Sequence, residues 1–331
     1  MEVNNQNIED ILNDEDINKN SIENTNDADY NNTQENKDIF YLPEGNALNE
    51  ELLYSLSSRK NVELIFLVGP VGSGKTTIEV MTYQIFLCNT FKDLIFAGSL
   101  SLKGFEERAI NMRIESGKSE PDMERTSINV VNKYLHLAIK NIAINNIHNL
   151  LLTDISGEEF ENCCNNPALM GSKFRNLQLA KSICFVLDGE RLIDVFKRNA
   201  ALSQVMQFIQ TTLDAKLVKH NTLICILLTK YDIVEKNMKK DTSLEDFIKT
   251  IDEKINKKFE RIQGISVYFQ KVSSVNDIRK ADKDNSILKL INKWITYNDS
   301  SKLQSIDIYS NSDKKLVNEF NRFGVKNEGC E

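Results

Sequence analysis

The sequence predicts an α/β fold in which a mostly parallel β-sheet is covered by helices on both faces. Short apolar runs typical of buried strands alternate along the chain with longer stretches in which apolar residues recur at helical spacing. Such alternation builds β–α–β units, whose strands lie parallel in one sheet. Two early runs joined by an Asn-rich turn predict one antiparallel pair at an edge of that sheet.

Seven apolar runs carry the strand prediction, and five stretches carry the helix prediction. The strands are expected at residues 62–68, 94–97, 134–140, 148–154, 182–188, 222–229 and 265–272. The helices are expected at residues 48–56, 76–88, 191–217, 244–262 and 286–295. The last helix contains the only tryptophan, Trp294, which we expect to anchor the core.

Acidic residues are concentrated at the start of the chain. Residues 1–38 hold 11 acidic and two basic residues, whereas the whole chain of 331 residues has a net charge of −7. A segment with so much charge and so few apolar residues cannot offset its ordering entropy. We therefore predict a disordered acidic tail, for which inert solvation and a docking role are both open.

The other boundaries follow from the predicted elements. A linker with a short helix is expected at 39–60, the main domain at 61–296 and a polar C-terminal extension at 297–331. A long polar insert near 99–127 separates the second predicted strand from the third.

Composition and charge exclude several classes of protein. No apolar run approaches the ~18 residues that a membrane span needs, and the first residues lack the pattern of a signal peptide. Beyond residue 38 the chain is near neutral and has no basic block, so neither a membrane nor a nucleic acid is expected among its partners. The six cysteines lack CxxC spacing, which argues against a zinc site. We predict a cytoplasmic protein.

The segment from Gly69 to Thr76, GPVGSGKT, fits the pattern G-x-x-x-x-G-K-[ST] between a predicted strand and a predicted helix. Such glycines let successive N–H groups surround phosphate oxygens, while the lysine contacts the β- and γ-phosphates and the Thr hydroxyl binds Mg²⁺. The alternative is a glycine-rich turn that matches by chance. The predicted phosphate contacts are Gly69, Val71, Gly72, Ser73, Gly74, Lys75, Thr76 and Thr77.

A second motif follows the strand predicted at 148–154. Asp154 ends that strand, and Gly157 completes the pattern D-x-x-G. A carboxylate there supplies a hard oxygen ligand for nucleotide-bound Mg²⁺. The Gly157 N–H would contact the γ-phosphate and sense its presence. The acids come after the motif, at Glu158 and Glu159, whereas many ATPases carry them at the strand end.

Thr229-Lys230-Tyr231-Asp232 follows the strand predicted at 222–229 and predicts a guanine contact. The Asp232 carboxylate can accept hydrogen bonds from guanine N1–H and the N2 amino group, whereas adenine would leave that charge unpaired. The Lys230 stem would lie along the base. The alternative is a surface turn in which Asp232 caps the next segment. At the end of the last strand, backbone N–H groups at Ser273 and Ser274 are candidate contacts for guanine O6.

Taken in this order, the motifs resemble those of the TRAFAC-class GTPases of the Ras-like superfamily, over about residues 60–296. The resemblance implies a three-layer P-loop NTPase fold with a six-stranded sheet, binding of GTP or GDP with Mg²⁺, and a nucleotide at the carboxyl ends of the strands. It also implies a Mg²⁺-binding threonine in the segment before the second strand of the family, for which Thr126 is the candidate. Thr76, Thr126 and Asp154 are thus the predicted metal ligands.

A narrower resemblance lies in residues 96–99, 104–108 and 121–127. They are similar to the bacterial double-GTPase group, which is predicted to act in GTPase-associated conflict systems beside partner GTPases and effectors. This resemblance implies a role in defence and a partner that is itself a GTPase.

Lys75, Glu158 and Arg125 are the candidate catalytic residues. Lys75 would neutralise charge on the phosphates. Glu158 follows the D-x-x-G motif and could orient the attacking water, although its charge would repel the γ-phosphate; the alternative is a solvent-facing side chain. Arg125, next to Thr126, could supply an arginine in cis, with Arg108 and Arg113 as competitors for the role.

The sequence therefore predicts a GTP-hydrolysing switch that contacts a partner or effector protein. The contact surface is expected in the switch regions, near residues 99–126 and 160–177. Two other functions stay open. One is a scaffold that holds GTP without hydrolysing it, and the other is an ATP-dependent phosphotransferase.

Overall fold

A computed structural model describes residues 45–88, 91–110, 133–259, 266–273 and 285–297. Nothing in these ranges forms a helix with the length and apolar character that crossing a bilayer requires. The predicted acidic tail and C-terminal extension lie outside the described residues, so both boundaries stay predictions.

Seven strands form one sheet in the described part of the chain, in the order β2-β3-β4-β1-β5-β6-β7. Strands β4, β1, β5, β6 and β7 are parallel to one another, and β3 runs antiparallel to both of its neighbours, β2 and β4. The α/β prediction is confirmed. The resemblance implied six strands, whereas the structure has one for each of the seven apolar runs. The strands are β1 Val62–Val68, β2 Leu94–Gly98, β3 Leu135–Asn141, β4 Asn146–Asp154, β5 Ser182–Asp188, β6 Leu223–Thr229 and β7 Ser266–Lys271.

The predicted helices occur at the expected positions, and the described part of the chain contains shorter α-helices in addition. The helix expected at 191–217 is divided at Asp194, which has an extended backbone and accepts the Phe196 N–H at the start of the second part. Trp294 is fully buried, as expected. The helices are α1 Glu50–Ser57, α2 Lys75–Cys88, α3 Leu102–Ala109, α4 Gly157–Cys163, α5 Pro167–Lys173, α6 Gly189–Ile193, α7 Val195–Asp214, α8 Tyr231–Met238, α9 Thr242–Phe259 and α10 Ser286–Thr296.

The central strands of the sheet are buried on both faces, and β1 shows this most directly. Leu64, Phe66 and Val68 pack into one apolar cluster with side chains of α4, α7 and α9. Ile65 and Leu67, which point to the other face, pack into a second cluster with α2 and α10. A strand covered on both faces has a near-continuous apolar sequence, which is why VELIFLV shows no polar alternation after Glu63.

The carboxyl ends of the parallel strands meet at one edge of the sheet. Leu67 in β1 is in register with Asp154 in β4, and Asp188 in β5 is in register with Thr229 in β6. The helices that follow β1 and β4 lie on opposite faces, because α2 packs in the second cluster and α4 in the first. Neighbouring strands with connections on opposite faces leave a crevice at their carboxyl ends, where α/β proteins bind ligands.

Candidate nucleotide-binding site

The loop between β1 and α2 has the backbone shape that its glycines permit. Gly72 and Gly74 have φ values of +73° and +93°, which a side chain would strain. The Ser73 hydroxyl donates a 2.8 Å hydrogen bond to the Pro70 carbonyl and closes the turn. Helix α2 then begins at Lys75 and runs for 14 residues, so a full helix N-terminus faces the loop. The loop predicted for phosphate binding is formed.

Lys75 lies over the loop rather than in solvent. Its Nζ donates to the carbonyls of Gly69, at 2.9 Å, and Pro70, at 3.0 Å, and only 7% of the residue is exposed. A buried ammonium needs such partners, because an unsolvated charge is costly. The cation is thus held at the loop, where its charge is available to an anion.

The D-x-x-G segment packs directly on this loop. A Cβ atom at Gly157 would lie 2.7 Å from the Gly69 carbonyl oxygen and 2.8 Å from the Val71 nitrogen, so only glycine fits. The Ile155 N–H donates to the Leu67 carbonyl at 2.9 Å, which extends the pairing of β4 with β1 beyond Asp154. The predicted γ-phosphate sensor is therefore in main-chain contact with the predicted phosphate loop.

Thr229 joins the base motif to the phosphate loop. Its hydroxyl, in a residue that is 1% exposed, donates to the Ser73 carbonyl at 2.7 Å. A Cβ atom at Gly74 would lie 3.7 Å from the Thr229 Cβ. Two motifs that are 156 residues apart in sequence are thus in direct contact.

Lys230 and Asp232 lie at the start of α8. Lys230 has a left-handed backbone, with φ +51° and ψ 34°, and occupies the cap position of the helix. Asp232 is half-buried and is the second residue of α8, so it is not the cap that the alternative interpretation required. The Tyr231 N–H donates to the Val272 carbonyl at 3.2 Å, which ties this motif to the end of β7.

The predicted Mg²⁺ ligands are oxygen donors in suitable elements. Thr76 is half-buried in the first turn of α2, and Asp154 is the last residue of β4, in register with Leu67. Hydroxyl and carboxylate oxygens, completed by phosphate and water oxygens, are the ligands that Mg²⁺ prefers, so the residues fit the ion. In the described ranges no group of three or more His, Cys, Asp or Glu could hold a metal.

The remaining site predictions divide into two groups. Thr77 is half-buried in the first turn of α2, Val71 is 40% exposed, and Glu158 is exposed in the first turn of α4. Ser273 is buried, and its N–H donates to the Ser286 hydroxyl at 3.1 Å. Three predicted site residues lie outside the described residues: Arg125, Thr126 and Ser274.

Residues 63–295 match the family model Double-GTPase 2. The chain belongs to the Double-GTPase 2 family. This family membership confirms the resemblance to P-loop GTPases and supports a guanine-nucleotide-binding protein. No curated protein sequence matches the chain.

Two solved structures are similar to this Double-GTPase 2 protein. A bacterial selenocysteine-specific elongation factor, EF-Sec, is 20% identical over 71% of this chain, with a TM-score of 0.34, and the match spans 29% of the elongation factor. The signal recognition particle receptor SRb-GTP/SRX complex from Chaetomium thermophilum is 16% identical over 65% of this chain and 92% of that chain, with a TM-score of 0.36.

Sequence reasoning missed Asp188, Gly189 and Glu190, which follow β5 beside the base motif. The Lys230 ammonium lies 3.1 Å from a carboxylate oxygen of Asp188 and 2.8 Å from one of Glu190. At Gly189 a Cβ atom would overlap the Thr229 carbonyl oxygen and lie 2.7 Å from a methyl carbon of Val234. The one signal in the sequence was an acid followed by glycine at a strand end.

These contacts shift two ionisation equilibria. Burial lowers the pKa of Lys230, but the hydrogen bond to Glu190 and the charge of Asp188 outweigh burial, so the pKa stands above its usual value. The hydrogen bond from Lys230, together with its charge, lowers the pKa of Glu190. Both residues are therefore charged at neutral pH.

Arg108, a competitor for the role of an arginine in cis, lies in α3 at the start of the predicted insert. Its guanidinium forms an ion pair with Glu79, which is fully buried in α2, one turn after Lys75. The ion pair connects the insert to the helix that carries Lys75 and Thr76. The insert's remaining predicted arginines lie outside the described residues.

Proposed function

We propose that this protein binds GTP with Mg²⁺ at the carboxyl edge of its sheet, hydrolyses it to GDP and phosphate, and acts as a nucleotide-dependent switch for a partner protein. The observation that carries the proposal is the hydrogen bond from the Thr229 hydroxyl to the Ser73 carbonyl. It joins the base motif to the phosphate loop, which supports a single nucleotide site that uses both.

Binding follows from charge and main-chain geometry. The loop from Gly69 to Gly74, the N-terminus of α2 and the Lys75 ammonium all favour an anion at the same position. Asp232, in the first turn of α8, would accept hydrogen bonds from the guanine edge. Adenine lacks those donors, so discrimination against ATP should be strong.

Hydrolysis asks the protein mainly to position groups and to neutralise charge. Lys75 would neutralise charge on the β- and γ-phosphates. Thr76 and Asp154, with Thr126, would hold Mg²⁺, which supplies further neutralisation when bound. Glu158 remains the candidate for orienting water, and its exposure is compatible with access to the attacking molecule. Arg125 remains the candidate arginine.

The switch proposal rests on the packing of Gly157. Because Gly157 lies directly against the loop backbone, a γ-phosphate bound in the loop would lie near the start of α4. Helices α4 and α5 would then shift with the nucleotide state. The family resemblance implies that the partner is a second GTPase, which would contact residues 160–177 or the insert near 99–126.

Thermal unfolding of the full chain with GTP, GDP, ATP or ADP tests whether the site selects guanine over adenine. A ligand at 100 times its Kd stabilises the native state by about 2.7 kcal/mol. We expect GTP and GDP to raise the melting temperature and the adenine nucleotides to leave it unchanged. Equal stabilisation by ATP would contradict the proposal and favour the phosphotransferase alternative.

Lys75→Ala tests whether GTP binding and hydrolysis both depend on the phosphate loop. We expect this variant to lose the stabilisation by GTP and to release no phosphate in single-turnover assays, because the cation at the loop is removed. The matched control is Lys249→Ala, which removes an exposed lysine paired with Glu245 in α9, far in sequence from the loop. A parent protein that binds GTP but releases no phosphate would support the scaffold alternative instead.

A further inference from the structure

We propose that Asp188 and Glu190 form an acidic clamp that holds Lys230 in its base-binding position before the nucleotide arrives. The proposal rests on the proposed function, because it concerns the same guanine site. Asp188 and Glu190 are positioning residues in this scheme, since they contact Lys230 and not the nucleotide. Neither belongs to the motifs that define the family resemblance.

The clamp lies directly beside the base motif. Asp188 ends β5 and is the register partner of Thr229, the residue before Lys230. Its carboxylate is fixed, because one oxygen accepts the Glu190 N–H at 3.1 Å while both oxygens lie 3.1–3.3 Å from the Lys230 ammonium. Asp188 is 8% exposed, so this pair is little screened by solvent.

The backbone of Lys230 supports the proposal as well. A left-handed conformation is unfavourable at a residue other than glycine and persists only when the surroundings enforce it. Gly189 allows β5 and the Thr229 carbonyl to approach closely, and the two carboxylates hold the far end of the Lys230 side chain. Both ends of Lys230 are thus fixed.

The clamp also preorganises the Lys230 side chain for binding. A free lysine side chain samples many rotamers and loses conformational entropy, at a cost in free energy, when it is immobilised. Because Lys230 is already immobilised, its aliphatic stem can form one wall of the purine slot without that cost at the time of binding. Asp188 should contribute more than Glu190, whose side chain is 62% exposed.

The test compares GDP with inorganic pyrophosphate in the full-length protein. Pyrophosphate occupies the phosphate loop and makes no base contact, so the ratio of the two Kd values isolates the base-dependent part. The variants are Asp188→Asn and Glu190→Gln, measured by titration calorimetry and by GDP dissociation rate. Glu245→Gln is the matched control, because it removes an exposed carboxylate 2.7 Å from Lys249.

We expect Asp188→Asn to weaken GDP about 10-fold and Glu190→Gln about 2-fold to 3-fold, mainly through faster dissociation. Pyrophosphate affinity should stay within about 2-fold of the parent in both variants, and Glu245→Gln should match the parent for both ligands. A loss of GDP and pyrophosphate affinity together would overturn the clamp and assign Asp188 a general structural role. Unchanged GDP affinity in Asp188→Asn would overturn it as well.

A double-mutant cycle tests whether Asp188 acts through Lys230. In a Lys230→Met background the clamp has no ammonium to hold, so Asp188→Asn should add little further loss of GDP affinity. Additive losses would show that Asp188 acts independently of Lys230 and overturn the proposal. A parent protein that binds pyrophosphate but not GDP overturns the proposed function itself, whereas a parent that binds both ligands leaves the clamp to be decided by the variants.

Discussion

The two halves of the candidate site are held together by different means. At the phosphate half, main-chain atoms make the contacts: Gly157 lies against the backbone of the loop, and loop carbonyls hold the Lys75 ammonium. At the base half, side chains make the contacts, through the hydrogen bond of the Thr229 hydroxyl and the ion pairs of Lys230 with Asp188 and Glu190. The phosphate half therefore depends on the absence of side chains, and the base half on their charge and hydrogen bonding.

The largest effect expected from this difference is that of Gly157→Ala. The added methyl would lie 2.7–2.9 Å from three main-chain atoms of the loop, which cannot move aside as a flexible side chain can. We expect a loss of about 2–3 kcal/mol in the free energy of unfolding and a marked loss of GDP affinity. Urea denaturation and GDP titration measure the two effects.

Gly171→Ala is the control for that substitution. Gly171 lies in α5, and the nearest atom to an added Cβ would be the Ala215 carbonyl oxygen at 3.6 Å, an ordinary contact. Helix propensity favours alanine there by roughly 0.5–1 kcal/mol. If Gly157→Ala unfolds and binds GDP as this control does, the main-chain contact at the phosphate half is not what the structure indicates.

A smaller effect is expected at the junction of the two halves. Thr229→Val keeps the shape of the side chain but removes the donor to the Ser73 carbonyl, leaving that buried acceptor without this bond. We expect about 1–2 kcal/mol of lost stability and a weaker preference for GDP over ADP, measured by thermal unfolding with each ligand.

Thr229→Ser sharpens the result, because it restores the hydroxyl while it removes the methyl group. The serine variant should recover most of the GDP preference. If serine behaves as valine does, the packing of the Thr229 methyl group, and not its hydrogen bond, connects the two halves.

The smallest effect concerns pH and asks whether the start of the insert depends on a titratable group. The His136 ring, buried in β3, accepts the Leu100 N–H through Nδ1 at 3.0 Å. Burial lowers its pKa below the model-peptide value of 6.5, and the charge of Lys60 adds to this, whereas the hydrogen bond with Asn149 opposes it.

The direction in which stability changes with pH follows from where His136 binds its proton. Below about pH 6.5 the unfolded chain binds a proton at His136 that the folded chain resists, so stability is full above that pH and falls as the pH drops toward the folded pKa. The slope cannot exceed about 1.4 kcal/mol per pH unit for one group. Urea unfolding between pH 5 and 7.5 should show a shallower decline for His136→Gln than for the parent, and identical slopes would contradict the assignment.

The central strands could be predicted from the sequence because they are buried on both faces. Each such strand is a run of apolar residues, as in β5 and β6, so its position needs no knowledge of its neighbours. Helices α4, α5 and α8 have only seven or eight residues, which is too short for a helical period to stand out. The division of the long helix at Asp194 depends on one extended residue within an otherwise helical pattern.

The candidate site likewise has parts that the sequence predicts and parts that it does not. The phosphate loop was predictable because glycine and lysine types at fixed spacing determine its conformation and charge. The clamp was not, because Asp188 meets Lys230 only through the register of β5 with β6, which a motif search does not contain. The ligand roles of Arg125, Thr126 and Ser274 stay predictions, since these residues lie outside the described ranges.

The bond between Thr229 and Ser73 also constrains when the protein becomes competent during its synthesis. A ribosome makes the loop between β1 and α2 long before residue 229 emerges, so an incomplete chain would lack the contact that joins this loop to the base motif. Under the proposed function, selectivity for guanine would begin only when β6 has paired with β5 and its last residue reaches the loop. Base discrimination by a nascent or truncated chain would therefore report whether the sheet has been completed.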